Sequence, residues 1–340
     1  MLNGRWPRVT AAGVPLTELE ADVAAETVAV DALGAAIDDL VARVVGVQVD
    51  AGLDVVTDGS VRFPDPGGAL LRALAANDLG PQGYLVRTWQ AAALLSDRVV
   101  AQPIPGPYSL SRRVHDDQSA LQREDFTLEM ASYLAAELRA LAAAGCQMAL
   151  IEEPDVVLIG GYPAPNTNVI ERELFAATQS HLLAEPVGLH AMLVVTGGSA
   201  WAAGPEAVLG APYQSYLFDL IAGPDNWNLI REVPGDRGVV CGALRAEAAA
   251  DQLPELVWAA RYAASSNGRG LERVGLSNAT SLADLDADAV GRAAAALAKA
   301  SRLARLSPDQ AVAEGLDPRA IRQPDTRPPH VRRPKPASGG

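Results

Sequence analysis

The chain has 340 residues, 49% of them hydrophobic, and a formal net charge of −13. That length and apolar content can bury one barrel-sized core or two ordinary ones. The negative charge argues against a nucleic-acid or anionic-membrane surface as the main partner; a small-molecule substrate is expected, with a protein partner left open.

Two cysteines, Cys146 and Cys241, form no CxxC pair and fit a reducing cytoplasm. The opening "MLNGRWPRV" has no basic region leading into an apolar core, so no signal peptide is expected. Charges interrupt the apolar runs well short of a membrane span.

In chain order, short β-branched runs alternate with longer stretches of helical period. The expected strands are 2–6, 53–59, 98–106, 148–153, 188–195, 215–221, 237–244 and 273–279. Between them lie amphipathic segments such as "DFTLEMASYLAAELRALAAAG" and "DADAVGRAAAALAKASRLARL". Eight strands, each followed by a helical stretch, make a single-domain α/β (β/α)8 TIM barrel over residues 1–305 the economical reading. The runner-up, a doubly wound open sheet, lacks a GxGxxG after its first strand. Residues 306–321 read as a C-terminal extension. The segment 322–340, rich in Pro and Arg and holding His330, reads as a disordered tail.

In a parallel barrel the loops after the strands carry the chemistry. The polar strand-end residues are Trp6; Asp58, Ser60 and Arg62; the "GPYSLSR" loop at 106–112; Glu152 and Glu153; His190; Asp219; Cys241; and Ser277, Asn278 and Thr280. "RRVHDDQ" (112–118) is either an anion-binding cluster or a solvated helix start with Asp116 or Asp117 as cap. "VTGGSAW" (195–201) is either an anion-cradling nest or a plain tight turn. His181 reads as a surface or packing histidine, and Asp54 as a structural contact. No nucleophile-elbow context surrounds Ser60 or Ser277.

The spacing of these segments resembles the cobalamin-independent methionine synthase family, within the uroporphyrinogen decarboxylase-like superfamily. "GLDVVTDGSVRF" (52–63) is similar to that family's Gly-Leu-Asp … Asp-Gly-Glu segment, and "PIPGPYSL" (103–110) to its Gly-Pro segment. "ELRALAAAGCQMALIEEP" (137–154) resembles its Asp-Glu-Pro strand, the most specific of the matches. "VGLHAM" (187–192) falls at its His-x-Cys, and "RGVVCGAL" (237–244) at the strand after. "VGLSNATSL" (274–282) falls at its final Cys segment. The resemblance implies a methyltransferase-like barrel in which zinc holds a thiol as thiolate.

Carried over residue by residue, the resemblance implies a degenerate zinc site. His190 stands at the family histidine, Met192 and Thr280 stand where the family has cysteines, and Asp219 takes the place of the acidic ligand. Ser60 replaces the Asp-Gly-Glu glutamate, and Glu152 replaces the substrate-holding aspartate. A three-ligand zinc site from His190, Asp219 and Cys241 is conceivable, although soft tetrahedral zinc prefers thiolate and imidazole.

The catalytic candidates are therefore His190, Glu152 and Asp219. The substrate-binding candidates are Trp6, Asp58, Ser60, Arg62, Asn278 and Glu153, the last as a second rim carboxylate or a structural anchor. The expected activity is methyl or alkyl transfer on a small amino-acid-like or thiol substrate. Two alternatives stand beside it: a catalytically silent barrel acting as a binding or scaffold partner, and metal-independent lyase or decarboxylase chemistry.

Overall fold

The computed structural model describes residues 1–63, 65–279 and 281–317. Its centre is one parallel sheet of seven strands in chain order: β1 (Val55–Val56), β2 (Val99–Pro105), β3 (Met148–Glu152), β4 (His190–Val195), β5 (Ser215–Asp219), β6 (Gly238–Leu244) and β7 (Val274–Asn278). Two helices precede β1, namely α1 (Leu16–Ala24) and α2 (Val30–Asp50). The crossovers carry α3 (Pro66–Ala75), α4 (Tyr84–Ala93), α5 (Pro107–Val114), α6 (Ala120–Ala143), α7 (Pro165–Leu182), α8 (Pro205–Leu209), α9 (Asn226–Glu232) and α10 (Leu253–Ser265). After β7 come α11 (Ala287–Arg305) and α12 (Pro308–Ala313).

The strands read as unbroken apolar runs because both faces are covered. Along β3 and β4, Ala149, Ile151, Ala191, Leu193 and Val195 pack into the large outer core with the helices. The alternate residues Leu150, Met192 and Val194 join Ala101, Leu217 and Val240 in a separate cluster on the opposite face. The two-residue period thus sorts one sheet into two hydrophobic layers.

The expected first strand is not regular. Gly4 adopts φ +85°, which interrupts an extended run, and residues 2–6 enter no ladder. They nevertheless bridge the two ends of the sheet. Asn3 N donates to Asn278 Oδ1 at 2.8 Å, and Asn278 Nδ2 donates to Asn3 O at 2.8 Å. The Met1 nitrogen donates to Leu276 O at 3.0 Å. At the far end, Trp6 N donates to Gly59 O, just past β1, at 3.0 Å.

The part of the expected extension that is described packs on the body: Ala311 and Leu316 are buried in the main core. Thr280 and the segment 322–340 lie outside the described residues. Among the described residues, no helix is long and apolar enough to cross a membrane.

Candidate functional site

Glu152 and Glu153, adjacent at the end of β3, take up different surroundings. Glu153 is fully buried. Its carboxylate accepts the first free backbone N–H groups of α5, Tyr108 N at 3.1 Å and Ser109 N at 2.7 Å, and the Gln179 Nε2 of α7 at 2.7 Å. A carboxylate at a helix N-terminus satisfies donors that have no partner within the helix. Burial still pushes its carboxyl up to about 7 against the pull of these donors. Gly106 leaves the space: a Cβ there would lie 2.1 Å from the Glu153 carboxyl carbon. Of the two roles open to Glu153, this geometry is that of an anchor, and it leaves no oxygen facing a ligand cavity.

The Glu152 carboxylate accepts no hydrogen bond among the described residues and lines a small cavity of about 60 Å³ with Arg5, Ser60, Ser109 and Arg113. Burial raises its carboxyl to about 7, with the charges of Arg5 and Arg113 lowering it and that of Asp58 raising it. A second crevice of about 20 Å³ shares Ser60, Pro66 and Pro105 with the first and is lined by Asp58, Tyr84 and Gln102. Asp58 is buried, its pKa raised chiefly by desolvation, and its Oδ1 accepts Ser60 N at 2.9 Å. That bond folds the turn after β1. Gly59 (φ +68°) and Ser60 (φ +54°) both sit in the left-handed region, and a Cβ on Gly59 would meet the Trp6 ring at 2.7 Å. Glu152, Asp58 and Ser60 are therefore brought together, with Arg5 and Arg113 as the cations beside them.

The other expected residues do not join this group. Trp6 is a core residue, 5% exposed, with its ring over Gly59. Arg62 reaches outward to Asp38 on α2 at 2.5 Å. Asn278 spends its amide on Asn3. Asp219 is buried, and both oxygens hold backbone: Oδ2 accepts Gly197 N, and Oδ1 accepts Ile221 N and Ala222 N.

His190 also lies apart from this group. Glu152 is paired in register with Val194, so His190 lies four residues lower on β4. At the usual strand rise that is roughly 13 Å toward the N-terminal end of the sheet. There its Nε2 meets Ser215 Oγ at 2.7 Å, burial lowers its pKa, and it lines a separate cavity of about 680 Å³. Cys241 shares register with Phe218, which in turn pairs with Val195, and its Sγ faces the Ala259 carbonyl of α10 at 3.8 Å. Burial pushes its thiol up to about 12. His190, Asp219 and Cys241 thus occupy the bottom, the top and the back of the sheet, a donor set that does not fit zinc. Met192 packs in the inner apolar cluster. No group of three His, Cys, Asp or Glu residues able to hold a metal occurs among the described residues.

The sequence reading missed an ion network behind the rim. Glu171 of α7 accepts from Arg123 Nη2, from Tyr108 Oη at 2.9 Å and from Arg112 Nη1 at 3.3 Å. Arg112 also approaches Asp155 at 3.6 Å. A signal was present in the periodicity: Arg123 falls in the buried series 120, 123, 127, 130, 134 of α6, and Glu171 in 171, 174, 178, 182 of α7.

No protein-family model matches the sequence, and no curated protein matches it. Among solved structures, a Shewanella sp. W3-18-1 protein described as a B12-independent methionine synthase in complex with selenomethionine superposes with a TM-score of 0.65. It is 13% identical, over 92% of this chain and 98% of that one. A Listeria monocytogenes protein, proposed to be a vitamin-B12-independent methionine synthase, gives a TM-score of 0.63 at 14% identity, over 89% and 96% of the two chains. Likeness at this identity establishes fold, and in fold this α/β chain is similar to the methionine-synthase-like proteins.

Proposed function

We propose that the chain is a divergent methionine-synthase-like barrel. It acts on a small amino-bearing substrate at the C-terminal rim, in methyl or alkyl transfer or a related reaction, without the zinc ligand set. Residues 1–6 serve as its eighth stave, closing the sheet between β7 and β1. The observation that carries the reading is the unpartnered Glu152 carboxylate, raised to about 7 and facing a cavity beside Asp58. A carboxyl with a pKa near neutrality either binds an ammonium group as carboxylate or exchanges a proton at a reacting centre. Asp58 adds a second negative charge, and Arg5 offers a partner to a substrate carboxylate, whereas Arg113 is held by Asp65 at 2.9 Å. Calorimetric titration with methionine, homocysteine and folates tests the proposal. Binding of at least one, lost in Glu152→Gln, supports it; no binding by any of them and no product ends the transferase reading.

A second reading is favoured by size. Cavities of about 60 and 20 Å³ at the rim are far smaller than ordinary ligand pockets. A barrel that binds a partner and catalyses nothing would show the same filled rim. A rim that stays closed to all these ligands in solution would support this alternative.

A further inference from the structure

The geometry points to a second ligand site, at the N-terminal end of the sheet, for a zwitterionic amino acid with an apolar side chain. The cavity there measures about 680 Å³, within the few-hundred to one-thousand Å³ range of small-molecule pockets. Two of the strand positions that line it carry no side chain, Gly238 at the start of β6 and Gly275 in β7.

Its inner wall is apolar and uncharged. Met148, Met192 and Val240 line it, and burial lowers the pKa of the one imidazole, His190, which is bonded to the Ser215 hydroxyl at 2.7 Å. An apolar ligand body gains by leaving water here, and the His190–Ser215 pair offers it a single polar contact.

The mouth is charged, and pairing sorts its charges. Arg273 is bonded to Glu272 at 2.9 Å, and Arg302 to Glu314 at 2.6 Å. Asp54, Asp236 and Arg305 also line the opening and make no ion pair among the described residues. Asp54 lies near the Met1 amine, which burial lowers to about 6, so that amine is mostly neutral at pH 7.5. The charges left over are two carboxylates and one guanidinium. A simple anion would face both acids, and a simple amine would leave Arg305 unanswered. A zwitterion answers both signs while its side chain enters the apolar part.

Methionine methyl groups give a local readout. The chain has four methionines; Met1, Met148 and Met192 line the cavity, whereas Met130 is buried in α6. The full chain carrying ¹³C-methyl methionine is titrated with L-phenylalanine, 3-phenylpropionate and 2-phenylethylamine and followed by NMR, with Met148→Leu and Met192→Leu assigning the signals. L-Phenylalanine is expected to move the Met148 and Met192 signals saturably and leave Met130 in place. Each truncated analogue should bind about tenfold more weakly, the effect of losing one charge contact of about 1.4 kcal/mol. Arg305→Gln, a surface change that leaves the core intact, should weaken L-phenylalanine by a similar factor. The same titration in Glu152→Gln should be unchanged, which separates this site from the rim. Still signals at Met148 and Met192 up to the solubility limit, equal binding of the three compounds, or loss of the response in Glu152→Gln would each overturn the proposal.

Discussion

Glu152 and Glu153 share a peptide bond and divide two tasks between them: Glu153 accepts the N-terminal amides of α5, and Glu152 keeps its carboxylate free beside Asp58. The two should therefore respond oppositely to substitution. Glu153→Ala leaves two helix N–H groups and Gln179 without their acceptor, and an orphaned buried donor costs about 1–3 kcal/mol. Urea unfolding should show Glu153→Ala strongly destabilised, and Gly106→Ala as well, since its Cβ displaces the Glu153 side chain. A Glu153→Ala protein as stable as the parent would contradict the anchoring role.

The pH dependence of Glu152 has a defined sign. Its folded pKa of about 7 stands above the ordinary glutamate value of 4.5, so burial favours the neutral form. The contribution to stability is complete below about 4.5 and is lost as pH rises through 7. Glu152→Gln, neutral at every pH, should be more stable than the parent at pH 8, by an amount on the order of 2 kcal/mol after allowance for solvent screening. The difference should vanish by pH 4.5. Chemical denaturation at the two pH values measures it.

Arg123 and Glu171 form a buried pair, 0% and 4% exposed in their side chains. Removing Glu171 strands the Arg123 charge, at about 3–5 kcal/mol, and removing Arg123 leaves Glu171 only Arg112 and Tyr108. Arg123→Met and Glu171→Leu should each be severely destabilising, and the double variant less so than their sum. A double-mutant cycle tests this, and strict additivity would count against the coupling.

Both cysteines should be silent in the native protein. Cys146 and Cys241 are 3% and 0% exposed, with thiols raised by burial to about 11 and about 12. A thiol reagent at pH 8 should label neither until the protein is unfolded, and then both. Cys241→Ala should leave metal content unchanged, because that thiol faces α10.

Much of the fold was legible because parallel strands covered on both faces announce themselves as apolar runs. The expected β2 through β7 agree with the structure to within two residues at every end. The first strand was misjudged because Leu2 and Trp6 are buried in the manner of strand residues, while Gly4 turns the chain between them. The site was less legible. Sequence shows that His190 belongs to β4, but whether a strand residue faces one mouth or the other depends on its height. Height is set by register with Met148 and Glu152, 38 or more positions away. Likewise, alternation alone does not tell which face of β6 Cys241 occupies; Phe218 beside it does.

The bond between Asn3 and Asn278 joins groups 275 positions apart. During synthesis at about 5–20 residues per second, Asn3 would wait roughly 15–55 s before its partner is made. Throughout that interval, Asn3 and the Met1 nitrogen have no β7 groups to bond. The last strand to emerge is thus the one that holds the first residues, and premature termination anywhere before β7 would leave Asn3 without that partner.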